Sequence, residues 1–308
     1  MTANTLRQRL AERRGAGGLI SAPGVYDMIS LRLADRLGFD ALYMTGYGTV
    51  ASHLGLPDAG LATYSDMVGR VERMAQGART PLVADADTGY GGPLNVEYTV
   101  RGYERAGAAA IQIEDQEWPK RCGHTLNRRV IAAEDMVQKV RVAVQSRASR
   151  DFLVIARTDA RTSLGLDEAL RRGELYARAG ADLLFVESPE SEQELARIAA
   201  AFAGGPWLVA NMVEGGRTPV LGAGDLAGLG FALAIHPVTA LLAAAAALER
   251  VYGSLKEHGS SGQVADRLLT FEAMNELMGF EELWRRDREL GAEPPRPSGV
   301  PDRAEAGR

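Results

Sequence analysis

The stretch FLVIARTDARTSLGLDEALRRGELYARAGADLLFV, residues 152–186, decides the fold. It opens on an apolar run, 152–156, that breaks at Arg157, Thr158 and Asp159. A segment with apolar residues at helical spacing follows, 166–179. Gly180 comes next, where a helix end needs positive φ, and then a second apolar run, 183–186. A short run, an amphipathic helix and another short run make a βαβ unit. Runs without polar alternation belong to a parallel sheet covered on both faces.

Outward from there the same unit recurs. Apolar runs lie at 19–22, 41–44, 81–84, 110–113, 152–156, 183–186, 207–210 and 231–235. Helical segments lie at 25–37, 65–76, 96–106, 133–148, 166–179, 192–203 and 223–229. Gly38 and Gly107 follow their helices as Gly180 does. Eight units within about 230 residues predict a (β/α)8 TIM-type barrel. An open doubly wound sheet is the alternative, but the first turn, Ser21-Ala22-Pro23-Gly24, lacks the glycine fingerprint of that fold. The expected division is a barrel over 1–258, C-terminal oligomerisation helices over 259–290 and a disordered tail over 291–308. The stripe Leu268, Leu269, Phe271, Met274, Leu277 and Met278 has nothing left in the barrel to cover. It is expected to pack on another subunit, a cap over its own barrel being the alternative.

With 46% apolar residues, the 308-residue chain can build a sizeable core, and its net charge of −5 gives no footprint for nucleic acid. One cysteine excludes an internal disulfide and any Cys-rich zinc site and suits a reducing cytosol. Residues 1–14 are too polar for a secretory signal. The longest apolar tract, 231–248, is interrupted by His236, Pro237 and Thr239, so it reads as a strand entering an Ala-rich helix, not a membrane span. The compartment expected is the cytoplasm, with no membrane and no nucleic-acid partner.

A barrel keeps its active site at the C-terminal ends of its strands. Those ends carry Tyr43 and Thr45-Gly46-Tyr47 with Asp58 further along, Asp85 and Asp87, Glu114, Arg157, Glu187, Asn211 and His236. Asp58, Asp85, Asp87 and Glu114 on one rim would repel unless a cation sat among them. Oxygen ligands without a histidine pair favour Mg²⁺ or Mn²⁺ over zinc. Each acid alone could instead cap the helix that follows it. Arg157 can clamp a carboxylate with its planar fork, or pair with Glu187 or Asp159. Cys122, between Lys120, Arg121 and His124, has neighbours that draw a thiol toward the thiolate, whereas a lone cysteine is usually a small buried hydrophobe. A divalent cation, an arginine and a tunable thiol suggest proton chemistry at carbon on a small 2-oxo or 2-hydroxy acid.

At these residues the chain resembles the isocitrate lyase and phosphoenolpyruvate mutase superfamily, over roughly residues 19–284. Lys120-Arg121-Cys122-Gly123-His124 resembles the lyase signature, and Asp85-x-Asp87-Thr88-Gly89 the metal loop. Phosphonomutase members lack the Cys-Gly-His. Thr45-Gly46-Tyr47, residues 91–96, Trp118-Pro119, residues 211–219 and Thr270-Phe271-Glu272 are similar to the branch of 2,3-dimethylmalate lyases, oxaloacetate hydrolases and petal death proteins. Methylisocitrate lyases are close to it. Thr45 stands where many members have serine.

The resemblance implies Mg²⁺, with Mn²⁺ able to substitute, held directly by Asp87 and through water by Asp58, Asp85 and Glu114. It implies a 2-oxo acid bound by Thr45, Gly46, Tyr47 and Arg157, with Tyr43, Lys120, Gly123, His124, Glu187 and Asn211 around it. Cys122 would be the acid that protonates the departing enolate. Pro237 stands where oxaloacetate hydrolases of this branch carry serine, which favours cleavage of alkyl malates. The assembly implied is a homodimer or homotetramer with swapped last helices. The expected activity is a carbon–carbon lyase acting on a substituted malate. Oxaloacetate acetylhydrolase, oxaloacetate decarboxylase and a non-catalytic binding barrel are the alternatives.

Overall fold

The computed structural model describes residues 5–123, 125 and 127–291. The expectations for His124 and for the tail from 292 onward lie outside the described residues. Eight parallel strands close in chain order into a barrel, β1-β2-β3-β4-β5-β6-β7-β8, with β1 paired to both β2 and β8. They are β1 Ile20–Val25, β2 Leu42–Met44, β3 Leu82–Asp85, β4 Ala110–Glu114, β5 Leu153–Thr158, β6 Leu183–Val186, β7 Trp207–Asn211 and β8 Leu233–His236. Around them run α1 Leu6–Gly15, α2 Met28–Leu37, α3 Gly46–Leu54, α4 Tyr64–Gly77, α5 Pro93–Arg105 and α6 Ala133–Ser146. α7 Ala160–Leu164, α8 Leu166–Arg178, α9 Glu192–Ala201, α10 Ala223–Leu229 and α11 Thr239–His258 continue the ring. Among the described residues no helix is long and apolar enough to cross a membrane.

Two apolar layers form the core. Inside the barrel lie Ala22, Tyr43, Val83, Ala110, Leu153, Ile155, Leu183, Phe185, Val209, Leu233 and Ile235. Leu6 and Leu10 of α1 join this layer, so the polar N-terminal segment carries a two-leucine face that packs with the barrel interior. Between strands and helices lie Leu42, Met44, Leu82, Ala84, Ile111, Ile113, Val154, Ala156, Leu184, Leu208 and Ala210, with Met67, Val100, Val140, Tyr176 and Ile198 from the helices. Neighbouring strand residues thus fall in opposite layers, as the pleat requires. Each fully buried leucine or isoleucine contributes about 1.5–3 kcal/mol.

One local reading changes. Ser21-Ala22-Pro23-Gly24 is part of β1, not a turn. Gly24 makes this possible, because a Cβ there would lie 2.3 Å from the carbonyl oxygen of Pro237, just past β8. The C-terminal stripe, 268–278, leads into and runs along one helix, and a second helix follows it. Gly279, at φ 78°, separates α12 Phe271–Met278 from α13 Phe280–Gly291.

The chain divides into one unit over Met1–Tyr252, which holds the barrel, and a second over Gly253–Arg308. In the second, Leu277 is buried while Leu268, Leu269, Phe271 and Met278 are exposed.

Candidate active site

The pleat selects the site. On β5 the inward residues Leu153 and Ile155 are followed two positions later by Arg157. The same step leads from Val83 to Asp85 and Asp87, from Ala110 to Gln112 and Glu114, and from Tyr43 to Thr45. It also leads from Phe185 to Glu187, from Val209 to Asn211 and from Ile235 to Pro237. Interior apolar layers therefore end in polar groups at one mouth of the barrel.

Asp58, Asp85, Asp87 and Glu114 are all nearly buried there. The Lys120 ammonium makes a short ion pair with Asp58 and lies 2.7 Å from Asp87 Oδ1. Among the described residues no three acid or imidazole side chains converge closely enough to chelate an ion as they stand. The residues nevertheless fit a hard cation. Glu114 Oε1 is buried without a hydrogen-bond partner. Burial pushes the Asp87 carboxyl up to about 6 against the pull of Lys120, with Asp85 and Asp58 adding to the rise. Burial also drives Glu114 well above the ordinary carboxylate range, against Arg157. Both shifts mark negative charge that a further cation would stabilise.

Close packing braces the loop that carries Asp85 and Asp87. Asp87 sits at φ 49° and donates its N–H to Asp85 Oδ1 at 3.0 Å. A Cβ on Gly46 would meet Asp85 Oδ2 at 2.6 Å, so only glycine lets α3 begin against that carboxylate. Tyr103 donates its hydroxyl to the Asp85 carbonyl at 3.3 Å, and buried Lys139 donates to the Thr88 carbonyl at 3.0 Å. The hydroxyl of Thr45 accepts the Gly48 N–H at 3.3 Å, capping α3.

A cleft opens over these groups. Tyr43, Thr45, Tyr47, Asp58, Asp85, Cys122, Gly123, Arg157, Glu187 and Asn211 line it, together with Val213, Glu214, Ile235, Pro237, Val238 and Leu242. Tyr43 reaches Gln112 Oε1 at 3.1 Å and Asp85 Oδ2 at 3.4 Å. Burial, then the Asp85 charge, holds its phenol well above the ordinary value, so it stays protonated. Asn211 donates to Glu187 Oε2 at 3.0 Å. Gly123 lies so close that a Cβ would meet Arg157 Nη2 at 2.4 Å and Glu187 Oε2 at 2.8 Å.

Both Arg157 and Lys120 are paired with carboxylates at the site. The fork of Arg157, Nε and Nη2, is bonded to Asp159 at 2.9 Å each, and Nη1 faces Glu114 at 3.3 Å. Lys120 turns its charge onto Asp58 and Asp87, and Arg121 is exposed.

Sequence reasoning passed over Gln112, Arg128 and Ser188. Gln112 had a signal, since it sits on the interior register of β4 two residues before Glu114. Arg128 and Ser188 had none, because their partners come from distant segments.

A (β/α)8 barrel whose strand ends gather buried acids, an arginine and a loop cysteine over one cleft is an enzyme for small carboxylates. The family model described as phosphoenolpyruvate phosphomutase matches residues 10–256. The 2,3-dimethylmalate lyase of Eubacterium barkeri is 46% identical over 92% of this chain and 96% of its own. A solved oxaloacetate acetylhydrolase with 3,3-difluorooxalacetate has a TM-score of 0.88 at 37% identity, covering 94% of this chain and 97% of that one. A 2,3-dimethylmalate lyase structure has a TM-score of 0.85 at 38% identity, over 95% and 98%. The chain belongs to the phosphoenolpyruvate mutase/isocitrate lyase superfamily, and it is an enzyme of the carbon–carbon lyase class found there.

Proposed function

We propose that this chain is a cytoplasmic, Mg²⁺-dependent lyase that cleaves the C2–C3 bond of a substituted malate. The substrate is of the 2,3-dimethylmalate or 2-methylisocitrate type, and the products are a 2-oxo acid such as pyruvate and a carboxylic acid. One observation carries the reading: a single cleft is lined by Cys122, Gly123, Arg157 and Glu187 and also by Val213, Ile235, Pro237, Val238 and Leu242. The polar lining suits the C1 carboxylate and the C2 oxygen, the apolar lining an alkyl branch. The 2,3-dimethylmalate lyase among its relatives supports the same substrate class.

Asp87 would hold the cation, with Asp58, Asp85 and Glu114 around it, and when bound it supplies charge that stabilises an oxyanion at C2. The first N–H groups of α3, at Gly46 and Tyr47, suit a carboxylate. Tyr43, kept as a phenol, donates to an oxygen in the cleft. The C2 hydroxyl would pass its proton to a carboxylate of the cleft and become a carbonyl as the C2–C3 electron pair moves onto C3, and the Cys122 thiol would protonate the enolate formed there. Exposed Leu268, Leu269 and Phe271 support a homodimer or homotetramer.

A panel of 2-hydroxy diacids with Mg²⁺, assayed for 2-oxo acid release, tests the function. Pyruvate from an alkyl malate or methylisocitrate, with no oxalate and acetate from oxaloacetate, is the expected result. Rapid oxalate and acetate instead would make the enzyme a hydrolase, and pyruvate from oxaloacetate a decarboxylase.

A further inference from the structure

Arg128 is a buried arginine just beyond the Cys122 segment, with its side chain shielded from solvent. A guanidinium gives up much hydration on burial, so its place must be defined by specific partners. One is Asp159. Its Oδ1 takes a short bond from Arg128 Nη1 and a 2.9 Å bond from Arg157 Nη2, while its Oδ2 takes Arg157 Nε at 2.9 Å. Asp159 is itself fixed, since its N–H donates to Asp115 Oδ1 at 2.8 Å. The second amino group of Arg128 bonds Thr162 Oγ1 and lies 3.4 Å from Ser188 Oγ. That hydroxyl reaches the Gly123 carbonyl at 2.9 Å.

Charge makes the arrangement purposeful. Arg157 faces three carboxylates, Asp159, Glu114 at 3.3 Å and Glu187 at 3.3 Å. Nothing in Coulomb attraction alone keeps its fork on Asp159 rather than on the other two. Arg128 supplies the missing restraint: it pins the shared oxygen of Asp159, adds a second positive charge to the group and fixes the carboxylate plane to which a planar fork must match.

We propose that Arg128 is a positioning residue that acts through Asp159 to hold the fork of Arg157 in place at the cleft. Its effect on catalysis rests on the reading of the cleft as a diacid site; its effect on Arg157 does not. Crystal structures of Arg128→Met and Arg128→Lys test the geometry. In Arg128→Met the fork of Arg157 should leave Asp159 for Glu114 or Glu187, and an unmoved Arg157 there overturns the proposal. In kinetics Arg128→Met should raise KM for the diacid about tenfold or more and change kcat by less than about threefold, the pattern of lost uniform binding. Arg128→Lys keeps the charge but not the fork, and should recover part of KM. A purely structural role would lower kcat through loss of folded enzyme and leave KM unchanged, which also overturns the proposal. Should Arg128→Met fail to fold, Thr162→Val removes one anchor of Arg128 at little cost to packing. It should shift KM in the same direction by about two- to fivefold, and an unchanged KM refutes the proposal. Failure of the lyase reading is seen separately, in wild-type enzyme that cleaves no substituted malate.

Discussion

Cys122 and Asp87 carry the chemistry proposed at the level of single residues. Cys122 lines the cleft half-buried on a loop, so removing its sulfur costs little packing. Cys122→Ala should lower turnover about 10²–10⁴-fold, the size of an acid–base contribution, with the melting temperature unchanged. Near-normal turnover would leave the thiol as packing alone. Asp87 is held in a left-handed conformation with its carboxyl pushed up to about 6, chiefly by burial. Asp87→Asn removes one of the two carboxylates paired with the buried Lys120 ammonium, and the barrel should still fold because Asp58 keeps its ion pair with that ammonium. Calorimetry should show that Mg²⁺ binding is lost, and activity should vanish as it does when EDTA is added to wild type. Mg²⁺ binding by Asp87→Asn at wild-type affinity would remove the metal from this position.

At the level of elements, the fold was open to reading because each strand is a bare apolar run and each following helix is amphipathic. α10 lies where the spacing places it, at Ala223–Leu229, and Gly38, Gly107 and Gly180 all have positive φ. α3 was not legible, since it begins Gly46-Tyr47-Gly48 and forms on a Thr45 cap and close packing against Asp85. α7 spans only Ala160–Leu164, too short for periodicity. The acids of the site were legible from their strand-end positions. The destination of Lys120 and the Arg128–Asp159–Arg157 group were not, because ion pairing across distant segments leaves no local pattern. α8 is stitched to β4 in the same hidden way. Arg172 donates to Glu168 at 2.8 Å and to buried Asp115 at 3.0 Å, and Tyr176 donates to Asp115 at 2.8 Å. Hydrogen bonds from Arg171, then Arg172, lower Glu168 from 4.5 to about 2. A carboxyl lowered on folding stabilises the protein above its unfolded value, and the gain disappears as pH falls toward the folded value. The melting-temperature gap between wild type and Glu168→Gln should therefore be full near neutrality. It should shrink below about pH 4.5 and close toward about pH 2, and a gap independent of pH would show that the arginines do not act through charge.

At the scale of the whole molecule, the barrel closes on itself while the C-terminal unit does not close over its apolar surface. In that unit Phe271 is 82% exposed, Leu269 55%, Trp284 51% and Leu283 58%. Single exposed leucines are ordinary on a soluble protein, but a run of them with two aromatics on successive helices is the composition of an interface core. At about 25 cal/mol per Å² of apolar surface removed from water, covering such a face favours association by several kcal/mol before the entropy of assembly is subtracted. Sedimentation should therefore show a dimer or tetramer. Phe271→Glu places a charge at a residue of the C-terminal unit that is 82% exposed. It should shift the population toward monomer at low micromolar concentration with the barrel's melting transition retained. A truncation after His258, which removes α12 and α13, should dissociate or aggregate. If Phe271→Glu sediments as wild type does, the assembly does not use this face, and a monomeric wild type would remove the oligomer from the reading altogether.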